Sequence, residues 1–290
     1  MGGLGLFFAD LRAHGFLQHA LLAGILASVA CGVVGTYVVV RRITYLAGGI
    51  AHCTLGGMGA ARYLASVRGW EWLHPLHGAV AAALLAAVVI GVVSLRSRER
   101  EDTIIGALWA IGMAAGILFI SQTPGYNKDL MSYLFGNILM VSAEDLWLIL
   151  GLNVLVVGVG VVFHQQLLAV CFDEEFARLR GLRVEAYYLL LLCLTALTVV
   201  LLVTVVGLVM VIALLTLPVA VAGYFARTLR QMMVLAVLCS MAVTVAGLAL
   251  SYGPDLPPGA TTIVLAGAAY FAVLLGAALW RRLIRRRAGA

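Results

Sequence analysis

Long apolar runs separated by short polar connectors recur along the whole chain. Most runs are close to the roughly 20 apolar residues that an α-helix needs to cross the hydrocarbon core of a bilayer. The pattern predicts helices at 17–40, 43–66, 77–95, 103–121, 144–163, 186–203, 205–222, 231–251 and 259–280. We therefore expect an all-α polytopic membrane protein, a bundle of eight to nine transmembrane helices. The first helix and the pair joined near Thr204–Gly207 have the least distinct boundaries.

The composition supports a membrane location and excludes a soluble globular domain. The 290 residues are 63% hydrophobic and 11% charged, with a mean hydropathy of +1.08, whereas about a quarter of the residues of soluble domains are charged. We expect one transmembrane domain over 1–290, with the bundle at about 17–280. The five cysteines show no CxxC spacing and are expected to be buried small hydrophobic residues. The net charge of +6 flanks helices, so it does not indicate nucleic-acid binding.

The basic residues are distributed unevenly between alternate connectors. Most of the 19 Lys and Arg residues lie near 41–42, 96–100, 178–183, 227–230 and in the tail 281–290. Because basic residues mark cytoplasmic connectors, nine crossings place the N-terminus outside and the C-terminus, with its basic tail, in the cytoplasm. The expected location is the plasma (inner) membrane.

One outer connector, RGWEWLHPLH, combines tryptophans suited to the membrane interface with metal-ligating side chains. Glu71, His74 and His77 form a candidate outer metal site. Pro75 argues against a regular helix that presents both histidines on one face, and an interfacial loop is the alternative. A second outer connector, 122–145, is amphipathic and is expected to lie along the membrane surface or re-enter it.

The largest polar segment, 164–185, lies on the cytoplasmic side of this arrangement. Its core, DEEFARLRGL, predicts a short helix with acidic residues at its start and Gly181 at its end. Two interpretations are open, a docking surface for a soluble partner and a solvated loop.

His52 is the one ionisable side chain near the middle of a predicted helix, since all 13 acidic residues fall in connectors or at helix ends. This distribution argues against a proton-coupled carrier with a carboxylate relay. The chain also lacks the HExxH motif of metalloproteases and a convincing catalytic triad, so we expect no enzymatic site.

Glycines surround His52. Gly48, His52, Gly56 and Gly59 share one helix face, and Gly49, Cys53 and Gly57 form a neighbouring stripe. Small residues at this spacing allow helices to approach closely. His52 is then either a packing residue bonded to a carbonyl or a ligand for Zn, Fe or Mn in a translocation path.

Four blocks of the sequence, in order, resemble the membrane permease subunits of ABC importers for zinc, manganese and iron. They are VVVRRITYLAGGIAHCTLGGMGAARYL, DLMSYLFGNILMVSAEDL, DEEFARLRGL, and VGLVMVIALLTLPVAVAGYFARTL with SYGPDLPPGATTIVLAGAAYF. The resemblance spans roughly residues 36–275.

The resemblance implies a homodimer around a central path, two cytoplasmic ABC ATPase subunits and an extracytoplasmic metal-binding protein. ATP would be hydrolysed on the partner subunits, because the permease has no Walker A motif and no permanently bound cofactor. His52 and the glycine face of its helix would line the path. The ATPase-coupling residues would be Asp173, Glu174, Glu175, Phe176, Ala177, Arg178, Gly181 and Leu182.

One position departs from the family pattern. Many members place an aspartate one turn before the histidine, where this chain has Gly48. Loss of a hard oxygen ligand disfavours Mn and leaves Zn, or Fe, as the expected cargo. Cys53 is adjacent to His52 but about 100° round the helix, so it is a weak additional candidate ligand.

Two alternatives remain open from sequence. One is a permease of importers for cobalamin, haem or iron chelates, which needs no intramembrane histidine. The other is a membrane scaffold that transports nothing and binds no ATPase.

Overall fold

The computed structural model describes residues 7, 10–70, 72–96, 100–123, 136 and 138–288, with side chains as far as Trp280. Eleven α-helices and a 3-10 turn at Ile138–Met140 make up the regular structure of these residues, which include no β-strand. The helices are α1 Gly15–Val40, α2 Thr44–Arg68, α3 Pro75–Arg96, α4 Glu101–Ser121, α5 Ala143–Val162, α6 His164–Phe172, α7 Glu174–Leu179, α8 Val184–Val206, α9 Leu208–Phe225, α10 Leu229–Tyr252 and α11 Pro258–Ala288.

Nine of these helices coincide with the nine predicted ones, which confirms the all-α polytopic fold. Eight of the nine are long and apolar enough to cross a membrane. The ninth, α2, is long enough but less hydrophobic, because its sequence contains several glycines and His52 in place of larger apolar residues. The last helix is longer than expected, since α11 continues to Ala288 and takes in most of the segment predicted as a separate tail.

The core of the bundle is formed largely by α1, α2, α8 and α9. Most of the surface of α1 and α8 is buried against other helices, and Tyr188 is the largest fully buried side chain. By contrast, α4 and α11 bury little of their apolar surface. Their outer faces are therefore available to lipid or to another protein chain.

Polar contacts gather the connectors at two opposite ends of the bundle. At one end, Arg41 pairs with Glu174, and Tyr188 donates a hydrogen bond to Glu101. At the other end, Tyr252 donates to Asp10 at 2.7 Å. The segments around Arg41, Glu101 and Glu174 therefore meet at the first end, which we call the basic end.

Local sequence signals account for several helix boundaries. Ser142 and Asp145 form a reciprocal capping box at the start of α5. Gly207 separates α8 from α9 with a φ of 86°, a conformation that favours glycine. Because only this one residue separates the two helices, they look like one continuous apolar run in the sequence.

Candidate functional site

His52 lies in the middle of α2, and its side chain is only 8% exposed. The imidazole stacks on the indole of Trp109 from α4, with ring centroids 4.2 Å apart and planes inclined by 16°. Tyr45, two turns earlier on α2, packs against the same indole at 5.5 Å. The ionisable ring is thus held in an aromatic cluster between two helices.

The hydrogen bonding of His52 is incomplete. Its Nδ1 atom is buried and has no hydrogen-bond partner among the described residues. A packing histidine would be expected to bond a neighbouring carbonyl, because buried polar atoms are nearly always paired. The structure shows no such bond for this nitrogen, and a nitrogen in this state can accept a proton or a metal ion.

The glycines beside His52 bring α2 and α4 into backbone contact. A methyl group added at Gly56 would lie 2.8 Å from the carbonyl oxygen of Gly112, and one added at Gly59 would lie 2.9 Å from that of Gly116. Gly49 of α2 lies against Ile105 of α4. Gly57 faces the other way and contacts Gly78 of α3. The predicted glycine stripes therefore serve helix packing, mostly against α4 and, at Gly57, against α3.

Cys53 does not share the environment of His52. Its thiol donates a hydrogen bond to the carbonyl oxygen of Leu108 at 3.2 Å. No cluster of three or more His, Cys, Asp or Glu side chains that could hold a metal occurs among the described residues. Among the described residues of one chain, His52 therefore belongs to no closed metal site.

The candidate outer site is described only in part, because Glu71 lies outside the described residues. His74 and His77 are exposed, with ring centroids 6.2 Å apart and planes at 74°. His74 Nδ1 accepts a hydrogen bond from the backbone of Leu76 at 3.3 Å. Pro75 begins α3, so the two imidazoles flank a helix start, and His74 precedes the helix.

At the basic end, the predicted short helix is present as α7. The Asp173 carboxylate accepts a hydrogen bond from the backbone of Phe176 at 2.9 Å and caps it, and Gly181, with a φ of 75°, follows its end. Ala177 anchors the helix in the core with no exposed surface. Of the other predicted coupling residues, Glu174 pairs with Arg41 and Arg178 pairs with Glu185 at 2.8 Å.

The outer surface of α6 and α7 carries exposed apolar side chains among its charged ones. Phe172, Phe176 and Leu179 are 68%, 49% and 88% exposed. Beside them is a groove of about 700 Å³ whose lining includes His164, Arg180 and Arg230. Burial, followed by the charge of nearby Arg230, lowers the pKa of His164. The groove therefore presents arginine charges and a histidine that favours its neutral form.

A chain of polar contacts connects this surface to the helices that carry His52 and Trp109. Arg41, just before α2, pairs with Glu174 of α7 and donates to the carbonyl of Val170 at 3.2 Å. Arg41 also lies over the ring of Tyr188 at 5.3 Å. Tyr188 in turn donates at 3.2 Å to Glu101, the first residue of α4.

Comparison with known proteins places this architecture in a family. The sequence profile of the ABC 3 transport family matches residues 13–277. The chain belongs to the ABC 3 transport family. The resemblance inferred from the four sequence blocks is thereby confirmed.

Relatives of this ABC 3 family member cover almost its full length. A probable metal transport system membrane protein of Chlamydia trachomatis is 41% identical over 259 residues, covering 89% of this chain and 88% of the relative. The manganese transport system membrane protein MntC of Halalkalibacterium halodurans is 36% identical over 267 residues, covering 92% and 89%.

Solved structures agree with the fold. The chain matches a chain of the PsaBC complex of Streptococcus pneumoniae, solved with a Fab, at a TM-score of 0.81 and 29% identity, with 93% and 94% of the two chains covered. A metal-chelate type ABC transporter in an inward-facing conformation matches at 0.69 and 14% identity, a likeness that concerns the fold alone.

Sequence reasoning selects His52, the glycine stripes and α7, but it misses Trp109 and the Arg41–Glu174 pair. An aromatic residue in an apolar helix has many ordinary packing roles, and the register between α2 and α4 does not follow from the pattern. The paired arginines precede the histidine helix in the sequence, yet nothing there links Arg41 to a residue 133 positions away.

Proposed function

We propose that the chain is the membrane permease subunit of an ATP-driven ABC importer for divalent transition metal ions, and that two copies form the translocation path. The observation that carries this proposal is His52, a buried imidazole with an unpartnered nitrogen at mid-helix. Intramembrane ionisable groups are costly and usually functional. Membership of the ABC 3 transport family and relatives named as metal transport proteins support the class of cargo.

The second copy supplies what one chain lacks. A lone histidine is a weak ligand set, and two copies related by a twofold axis contribute two imidazoles to one site. The little-buried outer faces of α4 and α11 leave apolar area for such an interface. A path site with few ligands also suits transport, because an ion held too tightly does not leave.

The surface of α6 and α7 is proposed to dock two ABC ATPase subunits, one on each copy, through the exposed side chains beside the groove. ATP binding and hydrolysis then belong to those subunits, and the permease contributes no ATPase site. Movement of α7 is passed through Arg41 and Tyr188 to the starts of α2 and α4, and the bundle alternates between openings at its two ends.

The basic end is proposed to face the cytoplasm, by the positive-inside rule, so that the chain is a multi-pass protein of the inner membrane with a cytoplasmic C-terminus. An extracytoplasmic metal-binding protein then delivers cargo at the opposite end. His74 and His77, with Glu71, are proposed to receive the ion there.

Zinc is our first candidate cargo, because His52 offers nitrogen and Gly48 offers no oxygen ligand. Manganese is the second candidate, and it is favoured by the name of the MntC relative.

The test is ATP-dependent uptake into proteoliposomes that contain the permease, its ATPase and its binding protein. Zn²⁺, Mn²⁺ and Fe²⁺ are offered in parallel with cobalamin and haem. Accumulation of a metal ion is expected. Accumulation of an organic chelate instead would contradict the proposal, as would a permease that copurifies with no ATPase.

A further inference from the structure

We propose that Trp109 is a selectivity-determining residue of the path. Its indole stacks on His52 and occupies the space that an oxygen-bearing side chain at position 48 would need. The inference rests on the proposed function, since it concerns which metal the His52 site passes. It assigns to α4 a part in metal choice, in addition to its packing against α2.

The first observation is the geometry of the stack. A centroid separation of 4.2 Å and an angle of 16° place the imidazole nearly parallel to the indole, so His52 cannot rotate its ring without displacing Trp109. Side chains beside a ligand fix its orientation and influence the metal that it prefers. Trp109 therefore acts on the cargo through His52 and is a positioning residue.

The second observation is the space above Gly48, one turn before His52 on the same face of α2. A methyl group added there would lie 3.3 Å from Cζ3 and 3.7 Å from Cη2 of Trp109, and 3.8 Å from Cδ1 of Ile212 in α9. The added carbon alone is already in close contact with Trp109, and the carboxylate of an aspartate adds three further heavy atoms. With Trp109 in place, a carboxylate at position 48 fits beside His52 only if the indole is displaced.

Trp109 also differs from its neighbours along the contact. Further along, α2 and α4 meet through backbone, at Gly56 with Gly112 and at Gly59 with Gly116. Trp109 instead places a large ring on the same face, directly against His52.

The chemistry follows from the ligands that remain. Manganese in proteins prefers oxygen ligands, whereas zinc accepts imidazole readily. A site limited to nitrogen from His52 of each copy, and shielded on one side by an apolar indole, favours zinc over manganese. Opening the space above Gly48 and adding a carboxylate should reverse this preference.

The experiment measures the ratio of Zn²⁺ to Mn²⁺ uptake by the complete complex in proteoliposomes. The variants are Trp109→Phe, Trp109→Ala, Gly48→Asp, and Gly48→Asp combined with Trp109→Ala. Trp147→Ala is the matched control, because Trp147 is 71% exposed on α5 and far in sequence from the site. Each complex is first checked for assembly by size-exclusion chromatography.

The wild type and Trp147→Ala are expected to prefer Zn²⁺, and Trp109→Phe, which retains an aromatic ring, should keep most of that preference. Gly48→Asp alone is expected to change the uptake ratio little, whereas the double variant should shift it towards Mn²⁺ by about tenfold or more, the scale on which groups supporting a metal ligand change affinity. A purely structural role would lower the uptake of both metals together and leave the ratio unchanged.

Three outcomes would overturn the assignment. An unchanged ratio in an assembled double variant, or an equal shift in Gly48→Asp with Trp109 intact, would remove Trp109 from metal choice and leave the importer function intact. A wild type that prefers Mn²⁺ would contradict the stated preference while still supporting a metal importer. A wild type that accumulates no metal would refute the proposed function itself, and the assignment with it.

Discussion

The Nδ1 atom of His52 is a buried polar atom without a partner in the described part of one chain. Leaving such an atom unpaired costs about 1–3 kcal/mol, and its persistence at mid-helix needs compensation from a group that enters the site. A metal ion in transit, or a water molecule between transport cycles, can provide it. The stacked indole keeps the ring in place without satisfying the nitrogen.

At this scale we predict that Gly112→Val destabilises the permease. An added side chain would meet Cα of Cys53 at 2.8 Å, so α4 must move away from α2, and overpacking of this kind costs about 1–3 kcal/mol. The measurement is the melting temperature of the purified protein in detergent.

Gly106→Val on the same helix is the control for that measurement, since nothing lies within 4 Å of Gly106. A melting temperature lowered equally by both variants would show that the loss comes from the helix itself and not from the contact with α2.

The residues are predictable from sequence to different degrees. His52 is conspicuous because an ionisable side chain is rare in an apolar helix, and the 4, 4, 3 spacing with its glycines defines a face. Trp109 is not predictable, since its role depends on the rotation and register of α4 against α2. Those are set by the contacts of Gly56 and Gly59 with Gly112 and Gly116 of α4, and the sequence does not specify which glycines of the two helices meet.

At the scale of elements, α7 is a short helix held from several sides. Asp173 caps it, Ala177 anchors it, and Glu174 binds Arg41 at the start of the helix that carries His52. Because Glu174 and Arg41 are only about a third and a fifth exposed, their interaction is partly protected from solvent screening. This pair links α7 directly to the residues just before α2.

We predict that Arg41→Gln and Glu174→Gln each lower metal uptake per ATP hydrolysed, because α7 then moves without carrying α2 along. Their effects on stability should be non-additive by about 0.5–3 kcal/mol, the range for residues in contact. Thermal unfolding of the two single variants and the double variant gives that coupling.

Arg100→Gln is the control for this pair. Arg100 lies 3.5 Å from Asp102, but both side chains are mostly exposed, and pairs of that kind contribute little. Strictly additive effects of Arg41→Gln and Glu174→Gln would argue against coupling through this contact.

The elements themselves are largely predictable. Nine apolar runs correspond to nine helices, and acidic residues before Gly181 correspond to α7. The helix α6 is missed because HQQLLAVCF is short and mixed in polarity, and it follows α5 after a single residue, Phe163. Its helical structure depends on packing of Leu167 and Val170 in the core, which the pattern alone does not specify.

At the scale of the whole molecule, the two ends differ in charge and in surface. The basic end carries the exposed surface of α6 and α7, and the opposite end carries His74 and His77. If the basic end is cytoplasmic, the first surface is open to an ATPase and the second to a binding protein on the other side of the membrane.

We predict that this sidedness appears in labelling of intact cells with a membrane-impermeant thiol reagent. In a variant that lacks the five native cysteines, His77→Cys should react from outside. Leu179→Cys, at an 88% exposed position, should react only after permeabilisation. Labelling of Leu179→Cys in intact cells would show that the basic end faces outwards, the reverse of the proposed orientation.

The central claim is that His52 carries metal ions through the membrane. The most direct measurement is ATP-dependent uptake of Zn²⁺, Mn²⁺ and Fe²⁺ by the reconstituted complex, for the wild type and for His52→Ala, with assembly checked for both. We expect transport of at least one metal, with preference for zinc, and its loss in an assembled His52→Ala complex. Undiminished transport by that variant would show that His52 is a packing residue and that the cargo is selected elsewhere.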